Sequence, residues 1–143
     1  GLVRSGQGLL QSVETALKEN GLPPLTWYDV LWELEKARPS GLRLNDLGSR
    51  VLLDKYNVTR LVTRLEKEGL ARRRGCSGDG RGVFALITPK GVRLRKRMWP
   101  VYSRTVHEGF FSRLSPRETA SLRKLLARVT GEAGKSGPVA KSD

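Results

Sequence analysis

The chain has 143 residues, with 27 Lys and Arg against 14 Asp and Glu, a net charge of +13 and a single cysteine. That length holds one core and is short for an enzyme with separate cofactor and substrate lobes, so a single domain over residues 1–143 is expected. The charge favours a polyanionic partner, nucleic acid or an acidic membrane surface, and the lone Cys76 excludes an internal disulfide and a multi-thiolate metal site.

No apolar run is long enough to span a bilayer and no charged-then-apolar signal opens the chain, so a cytoplasmic protein without a membrane association is expected. Gly1 stands where an initiator Met would, which points to residues preceding it. In chain order, Leu9, Leu10, Val13 and Leu17 set a helical stripe on residues 7–19, which Asn20-Gly21 closes and Pro23-Pro24 separates from the second helix. Thr26 with Asp29 three residues on predicts an N-cap, and Val30, Leu31 and Leu34 carry that second helix to about residue 37. Trp27, Tyr28 and Trp32 make it unusually aromatic, and Pro39-Ser40-Gly41 ends it.

Residues 45–52 read as a short helix with Leu47, Val51 and Leu52 inward, and only a tight turn separates them from residues 54–68. There Val58, Leu61, Val62 and Leu65 recur at the one-face spacing of a helix, Asp54 is placed to cap its start and Gly69 supplies a permissive stop. Two short helices so joined make a helix-turn-helix. The outward row of the second one, Lys55, Tyr56, Asn57, Thr59, Arg60, Thr63, Arg64 and Lys67, combines charge for phosphates with the side-chain types that read base edges. Asn57 and Arg60 are nearer the end that enters a groove most deeply and are assigned to bases, Arg64 to bases or phosphates, and Lys67 to phosphates.

Residues 70–74 and 83–87 are strand-like runs around a Gly-rich loop, a hairpin that carries Arg72, Arg73, Arg74 and Arg81. A helix-turn-helix followed by a basic hairpin is a winged helix. Thr88 then caps a long helix with Pro89 at its first position, in which Val92, Leu94, Met98, Trp99, Val101, Tyr102, Val106 and Phe110 run to about residue 111, interrupted by Pro100. Ser115-Pro116-Arg117-Glu118 is a capping box that opens a last helix expected to bury Leu122, Leu125, Leu126 and Val129. From residue 131 the Gly, Ser and Lys composition predicts a disordered tail.

The run from Leu42 to Gly91, with TRLVTRLEKEGLARR followed by Asp79-x-Arg81 and then Thr88-x-x-Gly91, resembles the DNA-binding core of the MarR/SlyA family of bacterial transcriptional regulators. The resemblance implies that residues 54–68 enter the major groove, that Arg81 enters the adjacent minor groove, and that Asp79 orients Arg81 by an ion pair. It also implies that N- and C-terminal helices of two copies interleave. The fold class expected is therefore mainly α with a small β-hairpin wing (α+β), a winged helix-turn-helix over residues 42–91. Residues 7–38 and 101–130 are expected to be mainly dimerisation helices, with Leu9, Leu10, Val13, Leu17, Leu122, Leu125, Leu126 and Val129 at the interface.

The function expected is a sequence-specific double-stranded DNA-binding regulator, a repressor acting as a homodimer on a pseudo-palindromic operator with half-sites about 34 Å apart. An architectural or nucleoid protein without strong sequence preference and a protein-interaction module are the competing classes; Asn57, Arg60 and Arg64 argue against the latter. No nucleophile motif or phosphate-binding loop supports an enzyme, and no cofactor or metal is expected. Trp27, Tyr28, Trp32, Trp99 and Tyr102 are either core or the lining of a crevice for a small aromatic effector. Cys76 is either a redox sensor beside arginines or an incidental loop residue, and His107 has no partner at a metal-ligand spacing. Arg93, Arg95, Lys96 and Arg97 either touch phosphates or solvate a helix face.

Overall fold

Apolar positions three and four residues apart on three short helices meet in one core: Leu31 and Leu34, Leu47, and Val58, Val62 and Leu65 lose essentially all solvent exposure. The structure, a computed structural model, describes residues 1–75 and 82–132. Its elements are α1 (Leu2–Glu19), α2 (Leu25–Lys36), β1 (Leu42–Arg43), α3 (Leu44–Val51), α4 (Lys55–Lys67), β2 (Ala71–Gly75), β3 (Val83–Ile87), α5 (Pro89–Gly109), a 3₁₀ turn (Phe111–Arg113) and α6 (Pro116–Thr130). The described residues are thus mainly helical, with one small antiparallel sheet in the order β1-β3-β2.

The chain divides into two compact units, Gly1–Thr105 and Val106–Asp143. In the first, α3 and α4 form the helix-turn-helix and β2 pairs with β3 from Ala71 opposite Ile87 to Gly75 opposite Val83, as the sequence leads one to expect. Strand β1, not foreseen, adds Leu42 and Arg43 to the outer edge of β3, opposite Ala85 and Phe84. Gly41 precedes it at φ +78°, where a Cβ would collide with the Ala85 carbonyl. The junction between wing and α5 is equally tight. The Thr88 hydroxyl accepts from the Gly91 N–H at 3.1 Å and donates to the Gly69 carbonyl at 2.6 Å, and a Cβ on Gly91 would strike the Leu70 carbonyl.

Several expectations need correction. Helix α1 starts at Leu2 rather than at residue 7. Helix α2 starts at Leu25 with Pro24 in the cap position and no side-chain cap of its own, because Glu14 of α1 reaches across and accepts from the Leu25 N–H at 2.7 Å. Thr26 is therefore not the cap. Leu52, expected inward, is 91% exposed: it closes α3 in the left-handed conformation at φ 57°, and the chain reverses so that Leu53 packs on the core instead. Helix α5 ends at Gly109.

In the second unit the Ser115 capping box is complete, with the Glu118 N–H donating to Ser115 Oγ at 3.2 Å and the Ser115 N–H to Glu118 Oε2 at 2.8 Å. Phe110 and Phe111 pack edge to face at 5.2 Å, and the Arg123 guanidinium lies over the Phe111 ring. Helix α6 nevertheless buries no residue, and the expected burial of Leu122, Leu125, Leu126 and Val129 does not occur within the single chain. Asp79, Arg81, Cys76 and the tail from residue 133 lie outside the described residues.

Candidate nucleic-acid interface

Helix α4 buries Val58, Val62 and Leu65, packs Leu61 partly against the same core and turns its polar residues outward, so that Lys55, Tyr56, Asn57, Thr59, Arg60, Thr63, Arg64 and Lys67 are all exposed. Four of its residues are cationic and one, Glu66, is anionic. Asp54 caps the start twice over: Oδ1 accepts from the Asn57 N–H at 2.8 Å, and Oδ2 accepts from the Asn57 side-chain amide at 2.8 Å. The second bond orients the Asn57 amide, since only its NH₂ edge can donate to a carboxylate. One amide hydrogen and the carbonyl oxygen remain, the two groups that a bidentate contact with adenine uses.

The arginines of α4 are also held. The Arg60 guanidinium stands over the Tyr56 ring at 5.3 Å, one turn away, and Arg64 Nε lies 3.5 Å from Glu68 Oε1. Both contacts are exposed and weak, so they orient the side chains without holding them from a stronger acceptor. The hydroxyls of Thr59 and Thr63 instead bond back to the Lys55 and Thr59 carbonyls at 2.8 Å each, which turns them along the helix rather than outward.

The three strand arginines divide sharply. Arg72 is exposed. Arg74 donates to the Ser40 carbonyl at 3.0 Å and stacks over Phe84, and Arg73 is drawn onto α4, where it meets Glu66, Thr63 and Thr59. Two of the three are thus committed to the protein's own groups, an outcome that the run of like residues conceals.

Arg95 is the residue that sequence reasoning misplaced. Rather than facing phosphates or solvent, it is 12% exposed between α2 and α5, with Nε 2.6 Å from Glu35 Oε2 and its guanidinium 4.9 Å above the Trp32 ring. Nε and Oε2 are in charge contact but off the hydrogen-bond axis, and the in-line bond runs from Nη2 to Oε1 at 3.3 Å. A usable signal was present: Arg95 falls on the stripe of Val92, Met98, Trp99 and Tyr102.

The aromatic residues considered for an effector fill one another's space. Tyr28, 3% exposed, stacks on Trp99 at 5.9 Å and meets Tyr102 edge-on at 5.2 Å, while Trp99 and Tyr102 pack edge to face at 5.6 Å. Trp27 packs on the core and Trp32 is capped by Arg95 and Lys36. Burial pushes the Tyr28 hydroxyl up to about 12, against the opposing pull of Arg95, and raises Tyr102 as well, with the Asp29 carboxylate adding to it. Asp29 itself is raised to about 6, by burial first and then by Glu33 and Glu14. Two surface concavities, one along α1 from Gly8 to Glu19 and one between Glu14 and Pro24, take in none of the five aromatics.

Of the residues expected at a dimer interface, Val13 and Leu17 are 1% exposed and already belong to the core of the first unit, so they offer nothing to a second copy. Leu10, Leu125, Leu126 and Val129 are exposed, Leu9 and Leu122 half-buried, and α1 adds Leu2 and Val3, at 75% and 74% exposure, which had not been singled out. His107 is exposed near the end of α5. Among the described residues no helix is long and apolar enough to cross a membrane.

Residues 20–82 match the model of the MarR family. An uncharacterized HTH-type transcriptional regulator of Bacillus subtilis, YkoM, is 35% identical over 112 residues, which are 78% of this chain and 70% of that protein. The transcriptional repressor MprA of Escherichia coli is 29% identical over 125 residues, 85% of this chain and 70% of that protein. Among solved structures, Sco3205, a MarR family transcriptional regulator from Streptomyces coelicolor in complex with DNA, superposes with a TM-score of 0.81 at 27% identity, over 94% of this chain and 88% of that one.

Proposed function

The chain belongs to the MarR family of transcriptional regulators, and on that footing we propose that it acts as a homodimer that reads a pseudo-palindromic site in double-stranded DNA and represses by occupying a promoter. The observation that carries this reading is the exposed face of α4, cationic, polar and capped at Asp54, standing beside a basic hairpin. Helix α4 enters the major groove. Asn57, pre-oriented by Asp54, and Arg60, lifted on the Tyr56 ring, reach base edges; Arg64 serves bases or phosphates, while Lys55, Lys67 and Arg72 neutralise phosphates. Arg81 in the wing takes the adjacent minor groove, with Asp79 as its orienting partner.

Two such helices must be held about 34 Å apart, one turn of DNA, and a second copy of the chain supplies the spacing. Support for that copy is the apolar surface left uncovered at Leu2, Val3 and Leu10 on α1 and at Leu125, Leu126 and Val129 on α6. The repressor role draws on the likeness to MprA. Release by a small aromatic effector has less behind it, because Tyr28, Trp99 and Tyr102 are packed on one another rather than around a space.

Selection of duplexes from a genomic pool against random competitor DNA tests the reading, and it is expected to return one palindromic consensus. Asn57→Ala or Arg60→Ala then relaxes discrimination at particular base pairs by about 1–3 kcal/mol. Lys67→Ala weakens all sequences alike and shallows the slope of log K against log salt by about 0.9. A pool without a consensus, or mutants that keep the wild-type consensus with a uniform loss, would put an architectural DNA-binding protein in its place.

A further inference from the structure

Strand β2 alternates its faces, and the burial of Ala71 puts Arg73, two residues on, over the same side, toward α4. There it makes four contacts. Its backbone N–H donates to Glu66 Oε2 at 2.7 Å, Nη1 donates to Glu66 Oε1 at 3.1 Å, and Nη2 donates to Thr63 Oγ1 at 2.6 Å and to the Thr59 carbonyl at 3.3 Å. One carboxylate thus grips both the backbone and the side chain of the hairpin's first strand, one oxygen to each, and the fork of the guanidinium spans Glu66 Oε1 and the neighbouring turn of the helix. The Thr63 hydroxyl is used twice over, donating to Thr59 and accepting from Arg73.

Glu66 needs an explanation of its own, since it is the one carboxylate on the helix that faces a polyanion. A negative charge there repels phosphates and is tolerable only if it does something else. We propose that Glu66 and Arg73 form a latch that fixes the angle between the wing and the recognition helix, so that Arg73 is a positioning residue and not a phosphate contact. The inference rests on the proposed DNA-binding function and moves Thr59 and Thr63 from the DNA-facing row of α4 to the latch. Its mechanical basis is that β2 is paired with β3 along its whole length, so that a small rotation of β2 against α4 turns both strands of the hairpin together. The guanidinium is 26% exposed and its receptors lie on the surface of α4, so loss of the latch leaves the core of Val58, Val62 and Leu65 untouched.

The latch and plain electrostatics predict opposite signs. On charge alone Glu66→Ala tightens DNA binding, because it removes an anion and releases a cation, and Arg73→Lys changes nothing. With the latch, each substitution weakens binding to the selected duplex by roughly tenfold, and the double variant is no worse than either single one, because both remove the same interaction. Binding isotherms of the whole chain as wild type, Glu66→Ala, Arg73→Lys, the double variant and Arg104→Lys, at one salt concentration, decide it, with thermal melts of the free proteins as the folding check. Arg104→Lys, an exposed arginine of α5 outside the latch and outside the DNA-facing residues, is expected to bind like wild type. Tighter binding by Glu66→Ala, unchanged binding by Arg73→Lys, or losses that add in the double variant would overturn the latch while wild-type binding stands. A wild type that binds no duplex would overturn the DNA reading itself. Should Glu66→Ala fold poorly, the charge-conserving Arg73→Lys alone carries the decision.

Discussion

Helices α4 and α6 are near twins in local chemistry and opposites in tertiary fate. They have 13 and 15 residues, each is capped by the side chain of the residue before it, and each carries an apolar stripe beside a basic face. Yet α4 buries Val58, Val62 and Leu65 completely, and α6 buries nothing. The difference teaches that capping and periodicity decide where a helix starts and which face is apolar, and say nothing about what covers that face. For α4 the cover is α3 and β2, within a core that α2 also joins; for α6, among the described residues, it is not in the chain's own unit, and a second copy is the cover proposed.

The comparison breaks most visibly at its two stripes. Leu65→Ala is expected to destabilise the chain by about 2–5 kcal/mol in urea unfolding, the range for a leucine truncated in a packed core. A loss from Leu65→Ala no larger than that from Leu125→Ala would mean that α4 is not the better packed of the two. The next largest effect belongs to association. Leu126→Glu places a charge in the proposed interface and is expected to shift sedimentation from dimer to monomer at micromolar concentration, because an unpaired charge cannot be buried without several kcal/mol of desolvation. A wild type that sediments as a monomer under the same conditions would leave α6 with no partner at all.

The smallest effect lies within the better packed unit, where Asp29 is an imperfection. Burial, then Glu33 and Glu14, raise its carboxyl from 3.8 to about 6, so the folded chain holds that proton more tightly than the unfolded one. Stability contributed by Asp29 is therefore present at low pH and is lost as pH climbs from about 4 to 6. Asp29→Asn is expected to gain about 1–2 kcal/mol at pH 7.5, after allowance for partial exposure, with the gain vanishing toward pH 4. Urea midpoints at the two pH values measure it, and a gain independent of pH would assign the effect to something other than the charge.

What could be read from the sequence was chemistry that acts within a few residues. Asp54 on Asn57, Ser115 with Glu118, Thr88 on Gly91 and the pairing of β2 with β3 all need only neighbours in the chain, and all stand where they were expected. What escaped needs a partner from elsewhere. Thr26 lost the cap of α2 to Glu14, eleven residues before the helix it serves. Arg73 and Arg74 look like Arg72 until α4 and Ser40 claim them, and Arg95 looks like its neighbours until Glu35 does. The first turn of α1 was missed for a different reason: Gly6 and Gly8 lower helix propensity, and Leu2 and Val3 add no stripe that reaches the core. Leu52 was assigned by periodicity to a face that its left-handed backbone then turned outward.

The bond from the Leu25 N–H to Glu14 bears on how the molecule can be dissected. Taken by its core, the winged helix begins at α2, and a fragment trimmed to residues 23–105 keeps every residue proposed to meet DNA. Such a cut would remove the acceptor that α2 lacks among its own residues, along with Val13 and Leu17. The smallest separable piece therefore opens with α1, and the helix whose exposed Leu2, Val3 and Leu10 are proposed to meet a second copy is the same one that finishes the first turn of the lobe beside it. The proposed assembly and the folding of the first unit share one segment, so a change made there to probe the one also touches the other.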